Sequence, residues 1–180
     1  IRTDSQLKLI SDNFEYLKKI NRLEANGDVQ LFDLNNNITI NAQQIFYLKN
    51  EEKIFTVGKT LIKISNKYDI EGFDLTLFKN KMILSSKKSA IITDSESNTY
   101  KLEQFQYSID KEILKGKNIT AITSDKKNKS DEFFFKTGFF DLKKNKFLGK
   151  DIVAKFHKDL FGDNKNDPRI SAVSGYGDKI

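Results

Sequence analysis

Cysteine and tryptophan are absent from this chain, and proline, methionine and histidine each occur once in 180 residues. Without cysteine there is no disulfide scaffold, no thiolate metal site and no cysteine nucleophile. A lone His157 excludes any site built on two histidines and leaves a nucleophilic triad one possible base. No serine sits in a Gly-x-Ser-x-Gly turn, so no enzyme activity is expected, and His157 reads as an exposed residue at a strand end. Gly175-Tyr176-Gly177 lacks the third glycine and the following helix of a dinucleotide loop. Asp69 with Glu71, and Asp131 with Glu132, read as ordinary turn or edge carboxylates, and no metal or cofactor is expected. Long apolar runs are missing too, since nothing approaches the roughly 20 residues that a membrane-spanning helix needs. The opening Ile1-Arg2-Thr3-Asp4 has neither the basic start nor the apolar stretch of a signal peptide, which predicts a segment already processed or excised.

What is present is material for a β-rich core. The chain is 38% hydrophobic with 15 Phe and 6 Tyr, enough to fill the interior of one sizeable domain. A single proline fits a strand-rich chain, because proline cannot donate to a ladder. The net charge of +6, from 31 basic and 25 acidic residues, is spread along the sequence and implies a mild preference for anionic partners. Nothing in it resembles an RNP motif, a zinc finger or a basic helix, so no nucleic-acid partner is expected.

The dominant feature is a repeat. Ile38 to Ile64, ITINAQQIFYLKNEEKIFTVGKTLIKI, holds two β-runs joined by a polar turn, with a glycine inside the second run. Leu9 to Leu31 overlays on it, and worn copies begin at Ile70, Leu102 and Phe135, giving about five units. The marker position reads Gly27, Gly58, Ser86, Gly116 and Gly149, and glycine within a strand predicts a bulge, a corner or a close backbone approach. Residues 3–26 carry Leu7, Ile10, Phe14 and Leu17 at helical spacing, yet the repeat and the alternation from Leu23 to Leu31 predict strands instead. Asn35-Asn36-Asn37 is a turn by composition, and Lys126 to Asp131 a solvated loop. Phe133-Phe134-Phe135 with Phe139-Phe140 predicts burial on both faces of a strand. From Asp159 onward the alternation stops, which reads as a linker. Stacked units of this size bury one apolar face against their neighbours, so the fold class is all-β, a solenoid or a folded-over sheet whose apolar face is either self-filled or open to an apolar ligand.

Glu24 to Gly58, and within it Ala25-Asn26-Gly27-Asp28-Val29 and Ala42-Gln43-Gln44-Ile45-Phe46-Tyr47, resembles the OstA-like repeat of the lipopolysaccharide transport (Lpt) proteins. Asn166-Asp167-Pro168-Arg169-Ile170, followed by Val173-Ser174-Gly175, resembles the segment by which the periplasmic domain of the LptD (organic solvent tolerance) family passes into its outer-membrane barrel. The resemblance implies a β-taco or β-jellyroll over residues 1–158 and a linker over 159–180, at the periplasmic face of the outer membrane. It also implies lipopolysaccharide as ligand, a bridge protein, LptA, docking on the first unit by edge-strand pairing, and a lipoprotein partner, LptE. The acyl path would be lined by Phe14, Tyr16, Val29, Leu31, Ile38, Ile40, Ile45, Tyr47, Ile62, Phe73, Leu75, Phe105 and Tyr107. Two departures stand out: the cysteines that tether this domain in the family are missing, and the third unit has Ser86 for glycine and Lys88 for an apolar residue. A soluble bridge protein of the same repeat family, and a structural or adhesive β-solenoid binding a protein or glycan on its outer face, are the alternative readings.

Overall fold

The computed structural model describes residues 6–123, 130–158 and 168–178. Among the described residues the architecture is strands joined by short turns. In chain order these are β1 (Leu7–Ile10), β2 (Asn13–Leu17), β3 (Arg22–Asp33), β4 (Ile38–Leu48), β5 (Lys53–Ile64), β6 (Tyr68–Phe73), β7 (Thr76–Phe78), β8 (Ile83–Ser86), β9 (Ala90–Asp94), β10 (Thr99–Leu102), β11 (Gln104–Ser108), β12 (Ile113–Ile122), β13 (Glu132–Asp141), β14 (Lys146–Lys155) and β15 (Arg169–Asp178). All belong to one antiparallel sheet.

That sheet is creased along its middle. On β4 the inward residues are Ile38, Ile40 and Ala42, then Ile45 and Tyr47, so the alternation slips by one at Gln43. Opposite Gln43, each neighbour carries two residues instead of one, 27–28 on β3 and 58–59 on β5. An extra residue on one strand is a β-bulge, which bends the strand. Gly27 (φ 78°) and Gly58 (φ 79°) take the left-handed backbone this needs, and farther along the crease Asp74, Asn118 and Asp151 do the same with φ near 50°. Asp74 is held there because the Gly58 N–H donates to its Oδ1 at 2.7 Å. In the third unit the bend is a full break, and β6/β7, β8/β9 and β10/β11 are separate strands on either side of it. One half-sheet therefore contains β1, β6, β9 and β10 with the adjoining halves of the long strands. The other contains β2, β7, β8 and β11 with the remaining halves.

The repeat is most regular at the turns of the second half-sheet. Asn21, Glu52, Met82, Glu112 and Asn145 all sit at φ between 48° and 53°. Successive turns are bonded, Lys49 N to Asn21 O (3.0 Å), Lys79 N to Glu52 O (2.8 Å), Ile109 N to Met82 O (2.8 Å) and Leu142 N to Glu112 O (2.9 Å). Each unit thus hands its turn carbonyl to the next, which fixes the stacking register.

Three expectations are corrected. Residues 169–178, read as linker, form β15 and pair with β14 from Lys155↔Arg169 to Lys146↔Asp178, because Ile170 and Ala172 continue the inward pattern of Ala154 and Ile152. Residues 159–167 of that linker, and 124–129 covering most of the predicted loop, lie outside the described residues. β13 is not buried on both faces: Phe135 and Phe140 are buried while Phe134 and Phe139 point outward, 39% and 36% exposed, with a bend between the two pairs. His157 is not a free strand-end residue, since its Nδ1 and its backbone N–H both lie 2.8 Å from Asp131 Oδ1. The two departures of the third unit are accommodated: Ser86 is buried opposite the inward Phe105 with its hydroxyl bonded. Ser86 Oγ donates to Phe73 O at 2.8 Å, and Lys88 turns outward to pair with Asp74.

Candidate functional site

Because directly opposed residues of an antiparallel pair share a face, the pairing register identifies the inner surface. In one half-sheet a single row runs Leu9, Leu31, Ile40, Ile62, Ile70, Ile92, Tyr100, Ala121, Phe133, Ala154, Ile170. In the other the matching row is Tyr16, Leu23, Tyr47, Ile54, Leu77, Leu84, Tyr107, Leu114, Phe140, Phe147, Gly177. The two rows face each other across the fold and join one hydrophobic cluster. Rings cross the gap edge to face, Tyr68 to Tyr107 at 5.5 Å, Tyr100 to Phe140 at 5.8 Å and Phe135 to Phe140 at 5.1 Å.

Ten of the residues expected to line the path, Val29, Leu31, Ile38, Ile40, Ile45, Tyr47, Ile62, Leu75, Phe105 and Tyr107, are on this inner surface and none is more than 5% exposed. Phe14 and Tyr16 also face inward, opposite Ala25 and Leu23, but are 55% and 47% exposed because β2 ends the half-sheet. Phe73 is a correction. It lies opposite the outward Lys59, since the crease at Asp74 puts Gly72 and Leu75 on the inner side and leaves Phe73 outside. The sequence reading passed over Ile54, Ile70, Ile92, Tyr100, Phe135 and Phe140, although their alternation with polar neighbours marks them just as well.

The free lips of the fold are latched by charge. Lys79 Nζ lies 3.7 Å from Asp33 and 3.9 Å from Glu52, joining the two lips near the first units. Farther along, Glu112 takes Lys67 at 2.7 Å and the Tyr68 hydroxyl at 3.0 Å. The Lys67 ammonium holds the Glu112 carboxyl below the usual glutamate range against the opposing effect of partial burial, with the Tyr68 hydroxyl helping. Burial pushes the hydroxyls of Tyr68, Tyr100 and Tyr107 well above the ordinary tyrosine value, so all three stay protonated, and Tyr68 donates to Glu112. At the lips a cleft of about 290 Å³ opens between residues 96–98 and the turn ending at Asn145, with Tyr100 and Phe140 in its wall.

A creased antiparallel sheet of stacked units, apolar inside and latched at its lips, defines the class: an all-β jellyroll of the taco type. No protein-family model matches the sequence, and no curated protein matches it. Among solved structures, the chain is similar to LptH from Pseudomonas aeruginosa, described as the LptA-homologous periplasmic component of the conserved lipopolysaccharide transport device. The TM-score is 0.57 at 17% identity, over 62% of this chain and 81% of that one. At that identity what the two demonstrably share is the fold.

Proposed function

We propose that this chain is a non-catalytic transfer module that takes the acyl chains of lipopolysaccharide between its two half-sheets and passes them along the stacking axis, in the periplasm. The observation that carries this is the pair of inward apolar rows that run from the first strands to the last, one left uncovered at its start, at Phe14 and Tyr16, and the other at its finish, at Ile170, while Leu9 at the start of the latter is buried. A repeat array folded only for its own stability covers its terminal units with polar caps. Uncovered apolar ends on unpaired edge strands suit continuation into another jellyroll by strand addition, the pairing proposed for LptA at β1 and β2. The fold shared with a lipopolysaccharide transport component supports the choice of ligand.

Entry requires the lips to part. The partly exposed Lys67–Glu112 pair contributes at most about 1 kcal/mol and the buried Lys79–Asp33 pair costs more to part, but burying an acyl chain gains about 0.8 kcal/mol per CH₂, so a chain of many methylenes offsets both. The thirteen residues named from the sequence, less Phe73, are proposed to line the path. Within this reading two positions in the transport line differ. The Asn166-Asp167-Pro168 segment favours the barrel-proximal domain, with hand-off to the outer-membrane barrel and its partner LptE. The placement of β15 inside the jellyroll favours a bridge component. The test is lipid mass spectrometry on the protein purified from a lipopolysaccharide-producing host. Co-purified lipid A acyl chains are expected, and bulk phospholipid alone, or no lipid, contradicts the proposal.

A further inference from the structure

The outer face of the second half-sheet holds a broad trough of about 790 Å³ across β5, β7, β8, β11, β12 and β13. Lys53, Lys87, Lys115 and Lys117 line it, and among the described residues none of the four has a carboxylate at ion-pair distance. The one acid in the lining, Asp74, is already neutralised by Lys88. On the outer face of the other half-sheet, the two β5 lysines are matched: Lys59 pairs with Glu71 at 2.7 Å and Lys63 with Asp69 at 3.2 Å. The trough therefore gathers four lysines without an ion-pair partner among the described residues around one concave surface.

We propose that this trough binds an extended anionic saccharide bearing acidic groups on more than one sugar. Lys53 on β5 and Lys115 on β12 are four strand spacings apart, roughly 19 Å at about 4.8 Å per step, farther than a lone phosphate reaches. Outward Gln104 and Thr137 supply hydrogen-bonding groups for sugar hydroxyls, and the Phe78 ring holds the Lys53 and Lys81 ammonium groups over it, at 5.7 and 5.8 Å from its centre. A single such ring is a poor platform for the successive bases of a nucleic acid strand. Most trough residues alternate with inward Leu77, Leu84 and Leu114 and so face outward, while Phe105 and Ser86, inward by register, also border the trough.

The test is fluorescence polarisation of the purified chain with a labelled heparin hexasaccharide. Salt-sensitive binding is expected, with no binding of neutral maltohexaose and no displacement by inorganic phosphate at matched charge. Lys115→Gln with Lys117→Gln is expected to weaken binding roughly tenfold, as losing two exposed ionic contacts implies. Lys59→Gln with Lys63→Gln, which removes the same charge from the other half-sheet, leaves it unchanged. No binding, equal loss in both double variants, displacement by phosphate, or equal affinity for an oligo-dT strand overturns the proposal.

Discussion

Single residues decide whether the crease can close. Gly116, Gly138, Gly149 and Gly175 lie in register on four adjacent strands, and they leave room on the inner side for aromatic rings. A Cβ on Gly149 would collide with Phe135 Cδ1, and one on Gly138 would stand 2.6 Å from Phe140 Cε2. Both rings are fully buried and cannot swing away, so Gly149→Ala overpacks the core and is expected to cost about 1–3 kcal/mol in urea unfolding. At the lips, Glu112 carries the pH dependence. Its carboxyl titrates lower folded than unfolded, so its contribution is present above the free value of 4.5 and is lost as the pH falls through the folded value. Thermal unfolding followed from pH 7 to pH 3 is expected to show that loss in the native protein, and Glu112→Gln to flatten it while lowering stability at pH 7 by about 1 kcal/mol.

Among the elements, β2 and β15 are the exposed ones, because each ends the stack with inward side chains left uncovered. Phe14→Glu places a charge pointing into that uncovered end. Inward-pointing charge is a common guard against strand addition, so analytical ultracentrifugation is expected to show weaker self-association, or weaker capture of an LptA-type bridge protein. Circular dichroism is expected to stay unchanged, because Phe14 is already 55% exposed. At this scale the sequence was legible wherever one face alternated without interruption, as from Ile38 to Ala42. The glycine markers located the crease, since Gly27 and Gly58 are its bulges. The side each residue takes after a bulge was not legible, because it depends on how many residues the neighbouring strands insert there. That is why Phe73 was assigned inward. β15 was missed for a different reason: its Gly175 and Gly177 read as breakers, whereas they sit in strand pairing opposite Gly149 and Phe147, and a Cβ at Gly177 would press on the Phe147 ring.

The whole molecule is a folded sheet with two surfaces of different character, an inner one of apolar rows and an outer one of charge and scattered rings. Lipid transfer requires that acyl chains meet the inner surface and not the outer. The two are separable at Phe105, which is buried and inward on β11, and Phe73, which is outward on β6. A photo-crosslinking amino acid at each position, activated in lipopolysaccharide-producing cells, reads the difference directly. A lipopolysaccharide adduct is expected from position 105 and none from position 73, while adducts from position 73 alone, or only protein adducts from position 105, contradict transport through the fold.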